Sequence, residues 1–430
     1  MRHLAVIAAF ISGCIFPTSS NAQQFDDFFV DKTLRIDYSF AGDAKKQDIY
    51  LEELCEEPHW YGRRSRLSEL PLEGNGQITV RSKKGEVIYR HSFSTLFQEW
   101  LTYPEAETTK KAFENVFLVP FPKDTVDITV SLMNNRREVM ASLTHQVVPS
   151  DILIHKKGFR GQSEYTVINS PADPDHCIHL AYIAEGYKED QMDLFEQEAR
   201  MSMELLFTYE PFKSMRDRFE VVAVKAASHD EGMSEPGKGI WKNTVLGSHF
   251  DTFYSERYLT TLSMKKLNDM LAGVPYEHII ILVNSERYGG GGIYNSYMIT
   301  TTRNERSKPV IVHEFGHSFA GLGDEYAYES DEIPMYPHDI EPWEKNLTTL
   351  VDFKGKWEDM IKKGTPIPTP LSDDEKTQFS RIGVFEGAGY SVKGVYRPCQ
   401  RCRMLDNTTP DFCAVCQRAI KDIIDFYTLP

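Results

Sequence analysis

The sequence predicts two domains, an N-terminal all-β sandwich followed by an α/β domain, and three observations carry that prediction. Residues 25 to about 155 hold short stretches of alternating polar and apolar residues, punctuated by turn formers. Beyond residue 175 the pattern changes to alternating strands and helices, the mark of an α/β layer. At 430 residues the chain is also long enough for two cores. The expected boundaries are 1–22 for a cleaved leader, 23–155 for the sandwich and 156–430 for the second domain.

The leader is read first. Arg2 and His3 give a short basic start, Leu4 to Phe16 is apolar, and Ser20-Asn21-Ala22 places small residues before a cut at Gln23. This predicts a signal peptide and an exported protein, whether periplasmic, cell-surface or extracellular. Ile11-Ser12-Gly13-Cys14 also resembles a lipoprotein box, so a lipid anchor at Cys14 is the rival, less favoured reading. No later stretch is long and apolar enough for a transmembrane helix.

In the first domain, Thr33 to Phe40, Gln77 to Arg81, Val116 to Phe121, Val126 to Leu132 and Val139 to His145 all read as half-buried strands. Gly74-Asn75-Gly76, Lys84-Gly85 and Asn134-Asn135 supply turns. Strands at this spacing suggest an antiparallel sandwich. Phe93 to Thr102 interrupts the pattern as a helix or extended loop, and no catalytic constellation is visible in this domain. His59-Trp60-Tyr61 is read as packing rather than as a binding edge.

In the second domain, Cys177 to Ala184, Phe219 to Val224 and the strongly apolar His278 to Val283 are strands. Asp190 to Phe207 and Ser263 to Leu271 are helices, the first with Met192, Phe195, Ala199, Met203 and Leu206 on one side. Gly289 to Gly292 then permits close backbone approach. Asn295 to Thr302 follows and is expected to form an edge strand able to pair with an extended peptide. Gly291, Gly292, Tyr297 and Tyr326 are the residues offered to such a substrate.

Next comes His313-Glu314-Phe315-Gly316-His317. On a helix, residues i and i+4 lie about 40° apart around the axis, so both imidazoles share one face. Both can reach one Zn²⁺ at roughly 2.0–2.1 Å. Glu314 sits where a carboxylate can take a proton from a metal-activated water. Ser307 and Pro309 suit the start of that helix, and Gly321 can end it with a positive φ. Asp324 can then swing back as the third ligand, with Glu325 as its competitor. His229, Asp230, Glu231, His249 and Asp251 are weaker metal candidates, read as turn formers.

Tyr328 to Gly394 is polar and proline-punctuated, with Trp343 and Trp357 as anchors. Cys399-Gln400-Arg401-Cys402 and Cys413-Ala414-Val415-Cys416 resemble two halves of a zinc ribbon. In an exported chain one or two disulfides are the favoured reading, with metal as the alternative. Cys413 to Tyr427 closes the chain as an amphipathic helix.

Together these residues resemble a metzincin-type zinc peptidase, in which HExxHxxGxxH/D is followed by a methionine in a tight turn. Here Ala320 holds the usual glycine position, and Gly321 and Asp324 each fall one residue late. That insertion, with Gly-Leu-Gly-Asp-Glu-Tyr after His317 and Arg-Cys-Arg-Met before Phe-Cys-Ala-Val-Cys, is similar to the IgA-peptidase family of bacterial metalloendopeptidases. The resemblance spans nearly the whole mature chain, since that family carries a β-sandwich ahead of its peptidase domain. It implies His313 and His317 as zinc ligands, Glu314 as general base, Asp324 as third ligand and Met404 as the turn methionine.

The net charge of −15 argues against nucleic acid as a partner, because phosphate binding needs a basic surface. The expected function is a secreted zinc endopeptidase using one Zn²⁺ and acting on protein or peptide. The alternatives are a protein- or glycan-binding protein with a structural or degenerate zinc site, and a zinc amidase acting on cell-wall peptides.

Overall fold

A computed structural model describes residues 24–327 and 335–429. The signal-peptide and lipid-anchor readings therefore lie outside the described residues. A short turn of helix α1 (Phe25–Phe28) leads into β1 (Phe29–Gly42), β2 (Gln47–Pro58), β3 (Gly76–Ser82) and β4 (Val87–Phe93). Helix α2 (Leu96–Trp100) follows, then β5 (Lys111–Pro122), β6 (Val126–Met133), β7 (Val139–Val147) and β8 (His155–Lys156). They form two four-stranded sheets, ordered β5-β1-β2-β8 and β4-β3-β6-β7. Alternation decides which side chains meet between them. Leu34, Ile36, Tyr38 and Phe40 of β1 share one buried cluster with Ile78 and Val80 of β3 and Ile128, Val130 and Leu132 of β6.

The second region is built on β9 (Tyr165–Asn169), β10 (Ile178–Glu185), α3 (Met192–Leu206), β11 (Phe219–Val224), α4 (Met264–Leu271), β12 (His278–Val283), β13 (Gly290–Ile293), β14 (Tyr297–Thr301) and α5 (Lys308–Ala320). Its sheet runs β13-β14-β12-β10-β11-β9, with parallel pairing from β14 through β11 and antiparallel strands at both edges. Both faces are buried, which explains the continuous apolar runs. Leu180, Tyr182, Ala184, Ile280 and Leu282 face α3 and α5. Ala181, Ile183, Ile279 and Ile281 face α4 and join the sandwich core. The C-terminal part adds α6 (Glu375–Ser380), the hairpin β15 (Phe385–Ala388) and β16 (Ser391–Arg397), and α7 (Ala414–Thr428), which packs on α5.

One sequence expectation is corrected here. Asn295 to Thr302 is not an edge: β14 lies between β12 and β13, and the glycine strand β13 takes the edge. The reason is steric. β13 runs against α5, where a Cβ on Gly292 would stand 2.4 Å from the Glu314 carbonyl oxygen and one on Gly290 2.9 Å from Val310 Cγ1. Only glycine lets a strand lie this close to the helix. Tyr297 is corrected with it. It is 2 % exposed, and its hydroxyl donates to the Thr261 carbonyl at 3.0 Å, so it packs the interior instead of meeting a ligand.

The first sheet is joined to the second region through a buried charge. Arg35 on β1 donates to both Asp37 oxygens at 2.7 and 2.8 Å, then reaches Asp269 on α4 at 2.7 Å and the Lys265 carbonyl at 3.2 Å. The side chains of Arg35 and Asp37 have no solvent exposure. Removing one partner of such a pair strands the other. Arg35→Met is expected to destabilise the protein by about 3–5 kcal/mol, read as a lower urea midpoint. An unchanged midpoint would show that the pair does not hold these elements together.

Candidate metal centre and cleft

Helix α5 is buried on nearly every side, with Val310, Ile311, Val312, His313, Phe315, Gly316, Ser318, Phe319 and Ala320 all inside. Pro309 occupies its first turn. Ser307 does not cap it. Its hydroxyl pairs instead with the Thr301 hydroxyl at 2.7 Å, and the chain enters through a single 3₁₀ turn capped by Asn304. Gly321, at φ 55°, ends the helix. Its N–H donates to the His317 carbonyl at 3.0 Å, and the Leu322 N–H donates to the Gly316 carbonyl at 3.1 Å, which turns the chain back along the helix.

That reversal brings three side chains together. His313 Nε2 and His317 Nε2 are 3.1 Å apart, and Asp324 Oδ1 lies 3.1 Å from the first and 3.2 Å from the second. Donors around a tetrahedral zinc at roughly 2.0–2.1 Å stand about 3.3 Å from one another, so the triangle has the size such an ion requires. The outer nitrogens fix the tautomers. His313 Nδ1 donates to the Arg403 carbonyl at 3.0 Å and His317 Nδ1 to the Leu322 carbonyl at 2.5 Å, so both Nε2 lone pairs face inward. The donor set fits a divalent ion.

Electrostatics point the same way. Burial works against charge on all three groups. The Asp324 carboxylate nevertheless holds His317 up at about 9, and the imidazoles hold Asp324 well below the usual carboxylate range. The centre of the triangle is a place that favours positive charge. Burial pushes the Glu314 carboxyl up, partly offset by the two imidazoles.

Asp324 is held from outside as well. The Tyr390 hydroxyl donates to Asp324 Oδ2, leaving Oδ1 for the imidazoles. The Gly389 N–H donates to the Asp324 carbonyl at 2.9 Å and the Tyr390 N–H to the Tyr326 carbonyl at 3.0 Å. Asn346, fully buried, donates to the Gly323 carbonyl at 2.9 Å and accepts from the Gly323 N–H at 2.8 Å. Met404 is fully buried beneath the helix. A Cβ on Gly316 would lie 2.9 Å from its sulfur, so the glycine inside the His-Glu-Phe-Gly-His motif makes room for it. The Met404 carbonyl accepts from the Glu325 N–H at 2.9 Å.

Residue alternation separates the two acids that competed as third ligand. Asp324 faces the histidines, while Glu325 points the opposite way, where its Oε1 accepts from Asn346 at 3.0 Å and from the Cys416 thiol at 3.2 Å. The expectation of disulfides is not met either: all six cysteines among the described residues are buried free thiols. His229, Asp230 and Glu231, like His249 and Asp251, join no metal-sized group of donors among the described residues. His229 pairs with Asp230, and Asp251 pairs with Arg287.

The three donors open into a cleft of about 990 Å³. Glu314, Gly291, Gly292, Tyr326 and Tyr390 line it. So do Gln98, Glu99 and Tyr103 from α2 and the residues after it, and Arg136 from the β6–β7 turn. The sequence reading left this wall out. Glu99 accepts from the Tyr258 hydroxyl at 2.5 Å, and burial pushes its carboxyl up to about 7. Tyr390 was missed too, although the Gly387-Ala388-Gly389 turn before it signals a tight hairpin.

Compared with the curated proteins, the chain matches none of them. Two family models do match. Residues 24–144 match the model described as the Peptidase M64 N-terminus, and residues 167–382 and 375–424 match IgA Peptidase M64. The peptidase model covers more than half of the chain, and with it the helix, the reversal and the Met404 turn just described. The chain belongs to the IgA Peptidase M64 family of peptidases.

Proposed function

We propose that the protein is an exported, metzincin-type zinc endopeptidase that hydrolyses peptide bonds in protein substrates. The observation that carries this is the inward-facing triangle of His313 Nε2, His317 Nε2 and Asp324 Oδ1 with Glu314 beside it in an open cleft. Export rests on the basic, apolar and small-residue order of residues 1–22.

His313, His317 and Asp324 would hold the ion. When bound there, zinc supplies Lewis acidity, polarising the scissile carbonyl and acidifying a water. The protein's own groups do the rest. The Arg403 and Leu322 carbonyls hold the proton on each Nδ1, which leaves each Nε2 as the atom that would meet the ion. Tyr390 keeps Asp324 from rotating. Glu314 lies in the cleft wall, with no hydrogen bond to a side chain among the described residues, where it would accept a proton from water and hand it to the leaving amine. Burial raises its affinity for that proton, which suits a base that must later act as an acid. Extended substrate backbone has the edge of β13 to lie along, at Gly291 and Gly292.

Two outcomes follow. Glu314→Gln is expected to retain zinc and to lose roughly 10²–10⁴-fold in kcat on casein, measured with metal content determined on the same sample. Full turnover by the zinc-loaded variant would remove Glu314 as the base. Tyr390→Phe is expected to fold normally and weaken zinc affinity by roughly 10–100-fold in a competitive chelator titration. An unchanged affinity would show that Asp324 needs no such support.

A further inference from the structure

Behind the first centre lies a second convergence of metal-binding side chains. Cys402, Cys413, Cys416 and Glu325 are all fully buried, and one donor atom from each lies within 4.8 Å of every other. We propose that these four residues hold a second zinc ion, with a structural role.

The distances favour a metal over disulfides. Cys402 Sγ and Cys416 Sγ are 3.6 Å apart. A disulfide needs about 2.05 Å. Two thiolates on one zinc, each at about 2.3 Å, stand about 3.8 Å from one another. Pairing Cys402 with Cys416 would also leave the Glu325 carboxylate in the same dry space with no cation beside it. Glu325 already shows the strain of that arrangement. Its Oε1 has partners, but its Oε2 is buried with no hydrogen-bond donor among the described residues. A buried carboxylate oxygen is rarely left so, and a cation among the sulfurs would satisfy it.

The backbone is arranged for anionic sulfur. The Cys413 N–H donates to Cys402 Sγ at 3.3 Å. Cys413 and Cys416 sit at the N-terminus of the fifteen-residue helix α7, where the helix dipole favours thiolate. Two CxxC pairs also give the spacing of a zinc ribbon, although the set uses Glu325 in place of Cys399, whose thiol donates to the Arg381 carbonyl at 3.5 Å.

The location defines the role. Glu325 follows Asp324, and Cys402 precedes the Arg403 and Met404 carbonyls that hold His313 and the Glu325 N–H. An ion here would tie the 321–326 reversal, the Met404 turn and the start of α7 into one unit. No vacant coordination position is required of it, as expected of a closed structural site.

The full-length protein should be purified without chelator and its metal content measured with its intact mass. About two zinc ions per chain are expected, falling to about one in His313→Ala/His317→Ala. Zinc absorption spectroscopy on that double variant should then show three sulfur neighbours and one lighter donor. Cobalt exchange into wild-type protein should give near-ultraviolet thiolate-to-metal absorption. The two histidines and Asp324 cannot produce that signal, and it needs no cysteine variant that might misfold. Loss of this absorption together with one zinc in Cys413→Ser/Cys416→Ser would support the assignment. One zinc per chain in wild type with an intact mass two or four hydrogens light would overturn it in favour of disulfides. Four sulfur neighbours would also overturn it, by replacing Glu325 with Cys399.

Discussion

Everything at this site depends on where the chain goes in the six residues after α5. A helix end leaves carbonyls without partners, and here the Gly316 and His317 carbonyls recapture the chain through Leu322 and Gly321. The left-handed Gly321 makes that geometry accessible. Without the reversal, two histidines on one helix would face open solvent. With it, a carboxylate is delivered to within 3.2 Å of both. The remaining contacts exist to keep it there: Asn346 grips Gly323, the β15–β16 turn grips Asp324 and Tyr326, and Met404 grips Glu325.

Packing and charge act together at this point. The motif's Gly316 is needed because the Met404 sulfur lies underneath, and Gly292 because Glu314 lies above. Both glycines serve close approach rather than flexibility. In return the helix is fixed on two sides, so the imidazoles have no freedom to separate. Two lone pairs and a carboxylate forced together in a buried space create a standing preference for positive charge, which a proton or a metal can answer.

Much of this was legible in the residues. Strong periodicity located β1, β3, β5, β6 and β7 and the core strands β10, β11 and β12 to within a few residues, since alternation and apolar runs report burial directly. That His313, His317 and Asp324 meet is legible because i, i+4 spacing on one helix and a turn directly after it are local. What failed was non-local. No sequence pattern says that a four-glycine run pairs outside β14, because edge position is settled by what packs on the sheet. Strand β2 went unread because its middle, Tyr50 to Glu52, is exposed and blurs the alternation. Tyr390, Glu99 and Asn346 reach the site across 66 residues or more of chain, or from helices and loops with no motif of their own. The state of the cysteines is not legible, because an export leader argues for disulfides while the spacing of sulfur atoms is set only by folding.

The sandwich does more than precede the histidine helix. The Trp343 indole donates to Asn75 at 2.9 Å, the Ser94 N–H donates to the Tyr294 carbonyl at 3.0 Å, and Tyr258 binds Glu99. One bank of the cleft is therefore owned by a fold that carries none of the donors. On the proposed reading, choice among polypeptides would be set on α2 and the β6–β7 turn, apart from the histidine helix. Deleting the leading module would unroof the channel, so a shortened chain would be a different instrument from the whole.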